Sequence, residues 1–285
     1  MNYLRPKRTW RLRDQKVELG ARTWVMAILN LTPDSFYATS RIEGTGALLT
    51  RARQAVAEGA DMLDVGAEST RPGAAPLTAA AEQARLLPGI RTLRKEFPTA
   101  LLSADTRHAA TAAAAIEAGA DIINDVSGLG DPEMGPLLAR TGAAAILMHH
   151  RGDFASMQHL PPLVDLVTTV LAGLAAILAG ARAAGVGDDQ IVLDPGFGFG
   201  KNLDQNLPLL THFERLHELG RPLLAGVSRK SFLQPPEGDS GPEDRLPASL
   251  AAATAAVLAG AHILRVHDVG ATASAARFAD RLLLV

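Results

Sequence analysis

The chain has 285 residues, 47% of them hydrophobic, which is enough for one large core and close to the length of a single (β/α)8 barrel. A net charge of −2 argues against a nucleic-acid binder but allows a local basic site for a small anion. There is no Cys, which excludes disulfides, thiolate metal sites and a Cys nucleophile.

The first segment, "RPKRTWRLR", is basic and has no apolar signal core, so a cytoplasmic location is expected. In "TWRLRDQKVELG" the apolar residues Trp10, Leu12, Val17 and Leu19 alternate about a polar turn. That pattern fits a β-hairpin closing the bottom of a barrel; a disordered tail is the other reading. Strands are then predicted at Trp24–Leu29, Met62–Val65, Leu101–Ala104, Ile122–Asn124, Ala144–Met148, Ile191–Leu193, Leu223–Gly226 and Ile263–Val266. Each is a continuous apolar run, as a parallel strand buried on both faces requires. Helical stretches such as "TRARQAVAEGA", "TAAAAIEAGA" and "SLAAATAAVLAGA" lie between them. Leu166–Ala181 is uncharged but shorter than the ~18–20 residues of a membrane span, and reads as a buried helix.

A phrase recurs in "AEGADMLDVGAE", "EAGADIINDVSG" and "LAGAHILRVHDVG". A helix ends at a Gly suited to a left-handed cap, and a strand with polar residues at its far end follows. Eight such units with right-handed crossovers predict a (β/α)8 TIM barrel, with a doubly wound sheet as the alternative. No linker divides the chain, so one domain over 1–285 is expected, with 1–22 as an extension and the barrel from about 23.

A barrel places its chemistry at the C-terminal ends of its strands. Those ends carry Asn30, Asp64 with "ESTR", Asp105–Thr106, Asn124–Asp125, His149, Asp194, Ser228–Arg229–Lys230, Arg265 and His267. Lys230, Arg265 and His267 gather after strands seven and eight, where barrels often bind phosphate. The helix opened by "HDVGATASAARFAD" is expected to add free backbone N–H groups near Gly270. Asp105, Asn124 and Asp194 come from three strands. Carboxylates accept paired N–H donors and an amide both donates and accepts, which suits a flat guanine-like or pterin-like ring. A general acid–base pair or structural capping of strand ends are the other readings of these acids. Asn30 offers a neutral oxygen of the kind that suits Mg2+ on a pyrophosphate. "NLTPDSF" and "AESTRPGA" read as lids or as ordinary loops. His149–His150, a tandem pair, is a poor joint metal site.

"LDPGFGFGK" (193–201) is neither a Walker loop, since Asn202 rather than Ser or Thr follows Lys201, nor a dinucleotide turn, since Lys201 stands where the third Gly belongs. Lys201 itself reads as a surface charge. The runs "MAILNLTPDSF", "DMLDVGAESTRPGA", "SADTR", "DIINDVSG", "IVLDPGFGFGK", "GVSRKSF" and "RVHDV", in that order from Met26 to Val269, resemble the dihydropteroate synthase family.

The resemblance implies a pterin-binding (β/α)8 barrel of folate biosynthesis, commonly dimeric and the target of sulfonamides. Such enzymes join 6-hydroxymethyl-7,8-dihydropterin pyrophosphate to 4-aminobenzoate with release of pyrophosphate and use Mg2+. By the same resemblance Asp105, Asn124 and Asp194 bind the pterin edge, and Lys230 reaches its carbonyl side. Arg265 and His267, with Val266 between them, hold the pyrophosphate, and Asn30 touches the metal. Thr70, Phe36, Pro72 and Ser231 shape the aminobenzoate site, while Phe199 walls the two substrates apart. Asp34 is expected to steady the cation left when pyrophosphate departs. "FYATSRIEG", "MHHRG" and "DTRHAA" depart from the family's usual loops without removing a matched residue. A pterin-binding methyltransferase of the same superfamily, or a non-catalytic pterin-binding paralogue, are the rival readings. The first has no reason to keep Lys230, Arg265 and His267 together, and the second no reason to keep both loop motifs.

Overall fold

The computed structural model describes residues 5–12, 15–31, 41–68, 76–153, 157, 160–234 and 241–284. The chain opens with an antiparallel hairpin, β1 (Arg8–Leu12) and β2 (Gln15–Leu19), in which Trp10 pairs with Val17. Eight parallel strands follow: β3 (Trp24–Asn30), β4 (Met62–Gly66), β5 (Leu101–Asp105), β6 (Ile122–Asp125), β7 (Ala144–Met148), β8 (Ile191–Asp194), β9 (Leu224–Ala225) and β10 (Ile263–Val266). Every residue of β4, β6, β7 and β8 is buried, as their largely apolar sequences require of strands covered on both faces.

Neighbouring strands follow the chain from β3 to β8, and β10 joins β3 to β9. A bridge between Leu193 and Leu223 brings β8 to the other edge, so the sheet closes as the predicted barrel and not as a doubly wound sheet. The helices are α1 (Arg41–Ala57), α2 (Ala79–Glu96), α3 (Ala109–Ala118), α4 (Met134–Thr141), α5 (Leu166–Ala183), α6 (Leu203–Thr211), α7 (Leu246–Leu258) and α8 (Val269–Leu282). Helix α5 departs from its sequence reading. It has 18 residues, long and apolar enough to cross a membrane, and it is buried on one face only. Leu166, Val170, Leu174 and Leu178 pack inward while Thr168, Thr169, Ala172 and Ala175 are exposed.

The larger apolar cluster lies between barrel and helices. A second fills the barrel's lower interior, where Met26, Met62, Ile122, Val192, Leu224 and Ile263 meet Trp10, Leu12 and Leu19 of the hairpin. The hairpin is thus the expected bottom plug, with Trp10 fully buried and its Nε1 donating to the Gln190 carbonyl at 3.0 Å. Access to the interior is left to the C-terminal mouth. There the pairings Asn30–Gly66, Asp105–Asn124 and Met148–Asp194 set the polar strand ends on one rim.

Candidate active site

Strand alternation turns Asp64, Asp105, Asn124 and Arg265 inward, and they form one network. Arg265 Nε donates to Asp64 Oδ2 at 2.7 Å and its Nη2 to Asp105 Oδ2 at 2.5 Å. Asn124 Nδ2 donates to the same Asp64 oxygen at 3.2 Å, which leaves its amide oxygen to accept. Gly66 lies close beside Asp105: a Cβ there would stand 3.3 Å from the Asp105 Cβ, a tight contact. Burial works against charge on Arg265, but Asp64 and Asp105 outweigh it and hold the guanidinium protonated. Burial raises the Asp105 carboxyl to about 7, with Arg265 opposing and Asp64 and Glu82 adding.

Asp64 is fully buried, and its Oδ1 has no hydrogen-bond partner among the described residues, so this acid belongs to the site's floor. In the sequence Asp64 is one strand-end acid among several, with no role of its own. Its signal was a carboxylate in the middle of the apolar run "MLDVG".

Across the mouth Asp194 ends β8, and its Oδ1 accepts the Gly196 N–H at 2.7 Å. Burial raises this carboxyl, with the Gly196 N–H and then Lys230 opposing. Lys230 Nζ lies 4.2 Å from the centre of the Phe199 ring, a cation–π contact. Burial and Arg265 lower the Lys230 ammonium to about 8, against Asp194 and Asp105. Ser231 is exposed in the short turn Ser231–Leu233 that follows.

His267 is not a cation. Burial, Arg265 and Arg229 push its pKa to about 3, Asp268 opposing. Ser228 Oγ accepts the His267 backbone N–H at 3.2 Å and lies 3.1 Å from Nδ1. When the hydroxyl donates to Nδ1, the ring proton sits on Nε2, making it a neutral donor. The Gly270 N–H, expected to be free, is taken by Glu58 Oε2 at 3.0 Å. Val266 is buried in the layer between barrel and helices, so only its backbone reaches the rim. A cavity of about 420 Å³ beside His267 is lined by Arg51, Glu58, Arg229 and Asp268 and by none of the ring-facing acids.

Lys201 overturns its reading as a surface charge. It is 3% exposed, and its Nζ donates to the carbonyls of His149 (3.2 Å), Gly196 (2.8 Å) and Phe199 (3.1 Å). The tandem histidines diverge: His149 packs over Gly173, while His150 Nε2 and Nδ1 face the carbonyls of Ser127 and Gly152. Among the described residues no group of three His, Asp or Glu is placed to hold a metal. Asn30 ends β3, half-buried, with one neutral oxygen to offer. Such a donor set fits an ion that keeps most of its waters and rides on phosphate oxygens, not one caged by protein. Asp34, Phe36, Thr70 and Pro72 lie outside the described residues.

The family model described as "Pterin binding enzyme" matches residues 26–267. The dihydropteroate synthase of Synechocystis sp. is 41% identical over 264 residues, 92% of this chain and 91% of its own length. The Thermus thermophilus dihydropteroate synthase, solved in complex with 4-aminobenzoate, superposes with a TM-score of 0.85 at 42% identity, covering 96% of this chain and 100% of that one. The Xanthomonas albilineans enzyme, solved with 4-aminobenzoic acid, gives a TM-score of 0.90 at 37% identity over 98% and 100% of the two chains. With the acids, the amide and the cations of the family's motifs converging on one barrel mouth, the chain belongs to the pterin-binding enzymes and, within them, to the dihydropteroate synthases.

Proposed function

We propose that this chain condenses 6-hydroxymethyl-7,8-dihydropterin pyrophosphate with 4-aminobenzoate to give 7,8-dihydropteroate and pyrophosphate. The convergence of Asp105, Asn124 and Asp194 beside Arg265 and His267 carries the reading. Two acceptors and an amide face where a ring's N–H edge would lie, and a guanidinium with a neutral imidazole stands beyond it.

The carbon–oxygen bond to pyrophosphate breaks with its electron pair leaving on oxygen, and the pterin ring spreads the resulting positive charge. Two Arg265 nitrogens are committed to Asp64 and Asp105, leaving its remaining N–H groups and His267 Nε2 for the departing oxygens. Asp34 and the ring-facing acids steady the cation. The aniline nitrogen, uncharged at neutral pH, then attacks the carbon and loses a proton to water. Mg2+ held by Asn30 and the phosphates would supply charge neutralisation on the leaving group. Thr70, Phe36, Pro72 and Ser231 are assigned to the aminobenzoate, and Phe199 to the wall between the substrates.

We also assign a homodimer. Leu258 on α7 and Phe278 and Leu282 on α8, two helices packed side by side, expose 37%, 63% and 49% of their surfaces. Exposed large apolar side chains on two neighbouring helices are what an interaction face would offer.

Pyrophosphate release from the pterin substrate, followed with and without 4-aminobenzoate and Mg2+, tests the activity. Release coupled to formation of 7,8-dihydropteroate is expected. Binding of the pterin with no release would point to a non-catalytic paralogue, and methyl transfer from a methylated folate to the methyltransferase.

A further inference from the structure

One buried, closely held group that the proposed reaction does not use is the ammonium of Lys201. A lysine has three N–H donors and no acceptor. Here each of the three meets a main-chain carbonyl, at 3.2, 2.8 and 3.1 Å, in a place almost closed to solvent. The three carbonyls come from two loops. His149 follows β7, while Gly196 and Phe199 belong to the loop after β8.

Each gripped residue has a second tie, and those ties lead to the ring pocket. The His149 N–H donates to the Asp194 main-chain carbonyl at 2.9 Å. The Gly196 N–H donates to the Asp194 carboxylate at 2.7 Å. The Phe199 N–H donates to the Gly196 carbonyl at 3.1 Å, and the Phe199 ring carries the Lys230 ammonium on its face.

The two loops touch at the hub. Gly196 has φ +68°, and a Cβ there would stand 2.0 Å from the His149 carbonyl oxygen, a place no side chain can occupy. Asn206 of α6 holds the outer side of the same loop. Its Oδ1 accepts the Gly198 N–H at 2.8 Å, and its Nδ2 donates to the Lys201 carbonyl at 2.9 Å. Burial works against the charge on Lys201 and lowers its pKa to about 7, with Asp194 opposing through space; the carbonyl dipoles turned together onto the ammonium offset part of the desolvation. Three carbonyls turned onto one point repel each other without it.

We propose that Lys201 is a positioning residue for the pterin pocket, its ammonium clamping the His149, Gly196 and Phe199 carbonyls so that Asp194 and Phe199 keep the spacing that a ring between them requires. This deepens the functional reading above and rests on it for the identity of the ring. Lys201 itself does not face the substrate. It acts through Gly196 on the Asp194 carboxylate and through Phe199 on Lys230.

The test is Lys201→Met, which keeps chain length and volume and removes all three donors. Binding of a non-reactive dihydropterin is measured by titration calorimetry, and the KM for 4-aminobenzoate is measured in turnover. Leu174→Ala serves as the control, since Leu174 is fully buried on α5 and lies outside the hub. Dihydropterin affinity is expected to fall tenfold or more in Lys201→Met, with the KM for aminobenzoate changing less than twofold. Leu174→Ala should lower the melting temperature and leave both constants in place.

A folded Lys201→Met with wild-type dihydropterin affinity overturns the proposal. So does an equal loss at both substrates, or the same loss in Leu174→Ala. If Lys201→Met does not fold, Lys201→Arg and Lys201→Gln decide it: Arg, which keeps charge and donors, must bind dihydropterin more tightly than Gln, and equal affinities overturn the proposal. A wild-type protein that binds no dihydropterin would refute the functional reading itself, a result distinct from any of these.

Discussion

Arg265 shows how one side chain can serve both chemistry and stability. Its fork spans Asp64 and Asp105, and Asp64 is a fully buried carboxylate whose other oxygen has no partner among the described residues. Removing the guanidinium therefore does two things. It takes away a donor aimed at charge developing on pyrophosphate, a loss of about 10²–10³ in rate. It also strands a buried anion, at a cost of ~3–5 kcal/mol. Arg265→Ala is expected to show both: slow single-turnover pyrophosphate release and a lowered melting temperature. Arg265→Lys keeps the charge but not the planar fork, and should recover the two properties unequally. A slow Arg265→Ala variant with unchanged stability would mean that Asp64 does not depend on Arg265.

At the scale of elements, the recurring phrase turns out to encode a joint. Gly59, Gly119 and Gly260 all have positive φ, at 100°, 114° and 97°, where the helix is capped. Two residues later a side chain reaches sideways to the neighbouring strand. Asp61 Oδ2 accepts the Val25 N–H at 2.8 Å and Asp121 Oδ2 accepts the Leu102 N–H at 2.9 Å. In the third copy His262 takes the acid's place, its Nδ1 accepting the Leu223 N–H at 3.1 Å while Nε2 donates to the Pro6 carbonyl at 2.8 Å. An imidazole can do this only when neutral, and burial holds His262 at about 3, the hydrogen bond to Pro6 opposing.

Its folded pKa thus lies below the ordinary value near 6.5. The stabilisation is complete above that pH and is lost as pH falls toward about 3, because the unfolded chain takes up a proton that the native joint refuses. The loss amounts to at most ~1.4 kcal/mol per pH unit for this group. Melting temperatures between pH 7.5 and 4.5 should fall more steeply for the wild type than for His262→Asn, which keeps an acceptor and does not titrate. Parallel slopes would remove His262 from the account.

The joints also mark what the sequence could reveal. Strands were legible because a parallel strand covered on both faces writes its burial as an unbroken apolar run. β9 is the partial exception: Leu223–Gly226 was expected and Leu224–Ala225 pairs, since Leu223 sits in the bridge to β8 and Gly226 leaves the ladder. Asp105, Asn124 and Asp194 were legible as polar ends of such runs. Asp64 and Lys201 kept their roles hidden. A salt-bridged floor acid reads like any strand-end acid, and the cage around Lys201 depends on left-handed turns at Gly196, Gly198 and Gly200 that aim carbonyls inward. The neutrality of His267 depends first on burial, then on Arg265 two residues back along β10 and on Arg229 from the loop after β9, and neither the burial nor the approach of Arg229 is written in the local sequence.

For the molecule as a whole, the exposed face of α7 and α8 leads to a direct measurement. Phe278→Glu places a charge on the most exposed aromatic of that face and should convert a dimer into a monomer in sedimentation velocity, with the barrel intact by circular dichroism. A wild-type protein that sediments as a monomer at micromolar concentration would refute the assignment.

The plug at the barrel bottom has a further consequence, in the timing of synthesis. The hairpin and the segments beside it lean on the far end of the chain. Trp10 bonds to Gln190, and Arg5 reaches the Ala261 carbonyl and Asp280, 256 and 275 residues away. Strand β3 likewise pairs with β10. On a ribosome adding ~5–20 residues per second, those partners emerge roughly 9–55 s after the hairpin does. For that interval Trp10 and its apolar neighbours have no barrel to enter, so this short N-terminal stretch is where a nascent chain would offer itself to a chaperone.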